Sequence, residues 1–271
     1  MRLMFALAVA SGALFGVSLG CKADDQDIKK ELAGIRQDLQ GLRAQLARNG
    51  AGPVRQQPPG PDPAKVYAVG VDGAPAVGPA TAPVTVVIAY EYACPWCNRQ
   101  RQVFPALHEA YGDNVRFVFR PFVVHPDLAN DAALAACAAD HQGHFAEVSD
   151  ALWTSVFDKR AFDRASVEHA ASTVAGVDLA RLRTDMDGSC KAFVEHERAA
   201  LSELGVNATP QVWVNGRPIP GGYKPLEGLK PVIDEELARA KERIASGTPR
   251  DAYYAEWVVK KGLRKLDGNG S

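Results

Sequence analysis

Two cysteines separated by two residues constrain this chain more than any other feature, because they sit where a strand gives way to a helix. Residues 84–92 (VTVVIAYEY) are rich in β-branched and aromatic side chains, follow the turn-forming GPATAP and predict a buried strand. Cys94-Pro95-Trp96-Cys97 comes directly after it. Residues 98–111 then carry Val103, Phe104, Leu107 and Tyr111 at helical spacing. Cys94 therefore falls at the helix start, where unpaired backbone N–H groups and the helix dipole favour a thiolate. Pro95 is tolerated because a first-turn residue has no intrahelical N–H bond to lose. Cys97 follows one turn later on the same face, within reach of a disulfide. The pattern predicts thiol–disulfide exchange, with an exposed Cys94 attacking and Cys97 resolving the mixed disulfide.

The same spacing is half of a zinc site, so the other half decides. No second CxxC occurs, and of the six histidines (His108, His125, His141, His144, His169 and His196) only His141 and His144 have ligand-like spacing. With Cys137 they would make a weak cluster on one helix, and a solvated helix end is the simpler reading. Neither a metal nor a cofactor is expected.

A second motif lies far along the chain. Residues 205–216 read GVNATPQVWVNG, with Thr209-Pro210 ahead of a strand and Asn215-Gly216 as a hairpin turn. Together with residues 82–97 (APVTVVIAYEYACPWC), this resembles the DsbA-like thioredoxin-fold family. The resemblance spans about residues 66–245 and implies an α/β thioredoxin fold, with 115–124 (VRFVFRPFVV) as a strand, 226–244 as a closing helix and about 126–204 as a helical insertion. It also implies a cis Thr209-Pro210 bond facing the CxxC, with Thr209, Pro210 and Trp96 as the substrate-binding residues. Two departures stand out. The family's buried carboxylate, six residues before the first cysteine, is Ile88 here; Glu91 is nearer, but in a strand it would point to the opposite face. The dipeptide between the cysteines is Pro-Trp and lacks the histidine with which the family's best-known oxidase stabilises its thiolate.

The N-terminus predicts export. Arg2 precedes an apolar run, residues 3–19, that is short for a membrane span and ends at Gly20-Cys21. Residues 17–21 (VSLGC) resemble the bacterial lipobox, which makes 1–20 a signal peptide and Cys21 the lipidated mature N-terminus, although Ser18 replaces the usual leucine. An ordinary cleaved signal and an uncleaved anchor are the alternatives, and all three lead out of the cytoplasm, where disulfides persist. Cys137 and Cys190 then remain as an even pair in two helical stretches of the insertion, 132–140 and 178–204, the second interrupted near Gly188. They suggest one structural disulfide, the alternative being two buried free thiols.

Residues 24–48 predict a coiled coil. Ile28, Leu32, Ile35, Leu39, Leu42 and Leu46 form an unbroken heptad pattern. Glu31 and Asp38 at g would meet Arg36 and Arg43 at e of a parallel neighbour. Leucine at a with isoleucine at d favours three or four strands, while Gly34 and Gly41 weaken the helix. An amphipathic helix lying on the membrane or on the next domain is the alternative. The Pro-rich stretch 49–65 is a linker, and 246–271, with Tyr253, Tyr254, Trp257, Val258 and Leu263 at roughly helical spacing, is a tail that packs on the domain or on a partner.

Charge excludes one class of partner: 31 Lys plus Arg against 32 Asp plus Glu leave a net charge of -1, and so no field to hold a phosphate backbone. The expectation is a lipid-anchored thiol–disulfide oxidoreductase facing the periplasm of the bacterial cell envelope. Its partners would be cysteine-containing exported proteins, a membrane redox partner and further copies of itself through the coil. By resemblance to the family, the coil and Thr209 before the cis-proline favour an isomerase or reductase over an oxidase. The alternative is a non-enzymatic, stalked interaction module.

Overall fold

The computed structural model describes residues 25–49 and 60–266, in two compact units that divide at Pro58. The expected signal segment with Cys21, and the expected linker as far as residue 59, lie outside the described residues. The first unit contains α1 (Asp25–Asn49), on which Ile28, Leu32, Ile35, Leu39 and Leu42 are each at least 45% exposed. The side chain of Leu46 lies outside the description. Among the described residues, no helix is long and apolar enough to cross a membrane.

The second unit is built on a five-stranded sheet in the order β1-β3-β2-β4-β5. The strands are β1 (Ala76–Val77), β2 (Val84–Tyr90), β3 (Val115–Pro121), β4 (Gln211–Val214) and β5 (Arg217–Ile219). β2 runs parallel to β3 and antiparallel to β4, so it is central, and all seven of its residues are buried. Its continuous apolar run follows from cover on both faces. Val84, Val86, Ile88 and Tyr90 join one core cluster, whereas Val87 and Ala89 join another on the opposite face with Val118, Trp213, Leu201 and Tyr254.

Several element ends differ from the sequence expectation. The helix expected over 98–111 starts earlier and is two helices, α2 (Pro95–Arg101) and α3 (Phe104–Tyr111). Pro105 accounts for the break, since it has no N–H to donate to Arg101 and its ring crowds that carbonyl. β2 and β3 end short of Tyr92 and Val124. Beyond β3 the amides of Val124 and His125 turn away from the sheet to the carboxylate of Glu91, at 2.7 and 2.9 Å.

The insertion contains α4 (Pro126–Asp140), α5 (Phe145–Leu152), α6 (Arg164–Ser172), α7 (Leu179–Asp187) and α8 (Ser189–Glu203). Ala-rich α4 sits at its centre, with α5, α6, α7 and α8 packed on it. Small side chains allow that many close neighbours around one helix. Cys137 on α4 and Cys190 on α8 are joined, with S–S 2.05 Å and Cα–Cα 5.8 Å. Arg120 of β3 and Glu197 of α8, both buried, make a two-pronged ion pair that ties the insertion to the sheet. α9 (Leu226–Ala245) closes the fold.

The segment beyond 245 contributes to this unit. Tyr253, Tyr254 and Val258 are buried, Tyr254 donates to the Val69 carbonyl at 2.8 Å, and the Leu263 amide donates to Val66 at 2.9 Å. Gly216, at φ +77°, is required at the tip of the β4–β5 hairpin, where a Cβ would stand 2.5 Å from the Tyr67 carbonyl oxygen.

Candidate active site

Cys94 is the N-cap of α2, with extended backbone (φ −89°, ψ 116°) and Pro95 in the first turn. Its sulfur accepts from the Cys97 amide at 3.4 Å, in the place a serine or aspartate oxygen takes at an ordinary cap. The Thr209-Pro210 bond is cis and precedes β4. Because Ala89 pairs with Gln211, the start of β4 lies beside the end of β2. Thr209 is thereby carried to Cys94, 115 residues away, and the Cys94 thiol donates to its carbonyl oxygen at 3.4 Å.

Exposure does not separate the two thiols as expected: Cys94 is 7% exposed, not open to solvent, and Cys97 is 1%. Acidity separates them. The Cys94 thiolate accepts from the Cys97 side chain and, against the cost of burial, from Thr209 and the backbone N–H groups of Cys97 and Trp96, and its pKa falls from 9.0 to about 6. Cys97 moves well above its ordinary value, because burial disfavours its charge and the hydrogen bond to Cys94 holds its proton. An apolar cavity of about 380 Å³, lined by Tyr90, Phe104, Phe119, Phe145 and Trp153, reaches Cys97 from behind. One sulfur is thus suited to attack and to leave, and the other to hold its proton until a mixed disulfide forms beside it.

The pKa shift sets an expected pH dependence. In the reduced protein, alkylation of Cys94 should be half-maximal near pH 6, read by rate against pH. For an acid with a depressed folded-state pKa, the contribution to stability is present above the unfolded thiol's value near 9 and lost as pH falls through about 6. A midpoint above pH 8 would contradict this environment.

Trp96 is 54% exposed and packs at 6.0 Å from Tyr223, with the Arg99 guanidinium over both rings at 5.8 and 5.1 Å. Buried Gln100 fixes the Tyr223 segment, exchanging hydrogen bonds of 2.7 and 3.1 Å with the backbone of Lys224. These residues form an aromatic and cationic ledge beside the cysteines. Sequence reasoning found Trp96 but missed Arg99, Gln100 and Tyr223, for which no local pattern exists. It also misplaced Glu91: β2 ends at Tyr90, so strand alternation does not govern Glu91, whose side chain is fully enclosed.

The weak metal cluster weighed for Cys137, His141 and His144 takes another form. Cys137, His141 and Cys190 bring ligand atoms within 4.8 Å of one another, without His144. Both sulfurs are in the disulfide and offer no thiolate.

Comparison with known proteins places this geometry. A family model described as thioredoxin matches residues 71–235. The Na(+)/H(+) antiporter NhaA 1 of Salinispora arenicola is 35% identical over 182 residues, which are 64% of this chain and 26% of that protein. The chain spans about a quarter of the length of the curated antiporter relatives it matches. Disulfide bond formation protein D of Bacillus subtilis is 26% identical over 182 residues, covering 62% of this chain and 78% of that protein. The crystal structure of a thioredoxin-like oxidoreductase from Silicibacter pomeroyi superposes with a TM-score of 0.53 at 28% identity, over 63% of this chain and 94% of that one. The family match takes in more than half of the residues and contains both the CxxC turn and the cis-proline, and the chain belongs to the thioredoxin family.

Proposed function

We propose that the chain is a disulfide isomerase or reductase of the bacterial cell envelope, anchored by lipid at Cys21 and oligomeric through α1, acting on the disulfides of exported proteins. The observation that carries this reading is the acidic Cys94 sulfur set 3.4 Å from the Thr209 carbonyl, ahead of a cis-proline. An extended substrate segment lying along Thr209 and Pro210 presents its sulfur to Cys94, with Trp96 at the side. The Cys94 thiolate attacks one sulfur of the substrate disulfide, forming a mixed disulfide and releasing the other sulfur as a thiolate. In isomerisation a second substrate thiolate then displaces Cys94 with no net change of oxidation. In reduction Cys97 displaces the substrate, leaving Cys94–Cys97 oxidised for a membrane redox partner to reduce. The Cys137–Cys190 bond is structural in this scheme.

Trapping thiols in the cell tests the direction. A mainly reduced Cys94–Cys97 pair is the expected result, and a mainly oxidised pair would make the protein an oxidase. Cys97→Ser should abolish net reduction and retain disulfide shuffling.

The exposed apolar face of α1 supports assembly, since five large apolar side chains are left to water in one chain. A protein beginning at Asp24 is expected to run as a trimer or tetramer by light scattering, and one beginning at Gly60 as a monomer. Losing the coil should then lower isomerase activity more than simple thiol oxidation, because reshuffling gains from several sites near one substrate. Monomers in both cases would leave α1 as a spacer, and equal losses in both assays would favour the oxidase.

A further inference from the structure

The ledge beside the cysteines carries charge that the fold leaves unanswered. Arg99 is exposed on α2, and its guanidinium makes no ion pair or hydrogen bond among the described residues beyond its contacts with the Trp96 and Tyr223 rings, at 5.8 and 5.1 Å. The ammonium of Lys224, next to Tyr223, has no carboxylate partner among the described residues either, and Glu227, the acidic residue nearest to it in sequence, pairs with neither cation. Two residues further along α2 the situation differs: Arg101 is paired with Asp150 at 2.8 Å. The whole chain has a net charge of -1, so this positive excess is local.

The aromatic rings also hold this charge in place. Packing over them engages the face of the guanidinium and leaves its N–H edge free, and that edge is the part that binds a carboxylate with two parallel hydrogen bonds. Gln100 is fully buried and commits its side-chain oxygen and nitrogen to the Lys224 backbone, which fixes Tyr223 and Lys224 against α2 before any substrate arrives. Such prior ordering lowers the cost of binding. Arg99 lies five residues beyond Cys94, about 7.5 Å along a helix axis, which is roughly the reach of two or three residues of an extended chain. We propose that Arg99 and Lys224, set around Trp96 and Tyr223, form a subsite for an acidic side chain two or three residues from the reacting cysteine. The favoured substrates are then exported proteins with aspartate or glutamate flanking the disulfide. This rests on Cys94 as the attacking thiol and on an extended substrate along Thr209 and Pro210, as proposed above.

Single-turnover reduction by the full chain, itself reduced beforehand, tests the subsite. Three peptides share one internal disulfide and differ only in carrying glutamate, glutamine or lysine at the second and third residues outside each cysteine. Cys94 attacks one peptide sulfur and Cys97 displaces it, so the peptide gains two thiols as Cys94–Cys97 becomes a disulfide. Each rate is divided by that of the same peptide with dithiothreitol, which removes the effect of the charges on the peptide disulfide itself. At low salt the glutamate peptide should react about tenfold faster than the lysine peptide, with glutamine between, because an exposed charge pair is worth up to about fivefold and lysine turns attraction into repulsion. At 1 M salt, where charges are screened beyond about 3 Å, the ratio should fall towards one. Arg99→Lys should keep the order of the three peptides, and Arg99→Glu combined with Lys224→Glu should reverse it; the order is read within each variant, so a general loss of activity does not enter. Equal rates or a lysine preference in the unmodified protein would overturn the proposal, as would a glutamate preference that survives the double charge reversal. Failure of all three peptides to react, glutamine included, would instead refute the exchange mechanism on which the inference rests.

Discussion

Replacing Cys94 with serine is expected to abolish disulfide exchange with a model substrate, lowering turnover by on the order of 10³-fold or more, since a hydroxyl at neutral pH supplies no comparable anion. The reason is specific to this sulfur. At about 6, the pKa of Cys94 leaves most of it ionised at neutral pH, while Cys97 is held protonated by burial and by its bond to Cys94. Cys97→Ser should behave differently, accumulating a mixed disulfide through Cys94 that is visible on a non-reducing gel. Unchanged turnover in Cys94→Ser would reject the exchange mechanism, and a mixed disulfide through Cys97 in that variant would reverse the two roles.

The second large effect is on stability. Cys137 and Cys190 are 53 residues apart in sequence and are both buried, joining the central helix of the insertion to its last. Loop-closure entropy for that separation corresponds to about 4 kcal/mol of stabilisation through restriction of the unfolded chain. Cys137→Ala should therefore lower the melting temperature by roughly 10 °C for a domain of this size. Cys94, Cys97, Thr209 and Pro210 themselves lie outside the insertion, so exchange activity measured well below the melt should be largely retained. A melt within about 2 °C of the unmodified protein would mean that packing around α4 already holds the helices together without the bond.

Much of the architecture was legible because it is written in local periods. The run of residues 84–90 reads as a buried strand from its composition, and Asn215-Gly216 marks the hairpin between β4 and β5. The heptads coincide with α1 almost to the residue. Element ends were less legible. Pro105 in a helical pattern is a visible breaker, yet the apolar spacing of Val103, Phe104, Leu107 and Tyr111 concealed the interruption. The tail after 245 showed helical spacing without a stated partner, and Tyr254 and Leu263 acquire theirs from Val69 and Val66, nearly two hundred residues earlier.

Glu91 shows why part of the site stayed hidden. Alternation assigns a side chain to one face only while the strand lasts, and the end of β2 at Tyr90 frees Glu91 to turn towards His125. The ledge of Arg99, Trp96 and Tyr223 likewise needs Gln100 to hold a loop from far along the chain.

The chemistry of the turn is readable from residue order alone: two thiols one helical turn apart, the first at a helix start, because backbone dipoles and side-chain periodicity act within a few residues. Residue order also determined that a cis-proline motif and a heptad face accompany that turn. Tertiary packing is what sets Thr209 against Cys94 and buries Cys97 beside an apolar cavity. Those are matters of burial and charge between segments distant in sequence. They fix the acidity of each thiol, and burial exists only once the sheet and the insertion have closed around them.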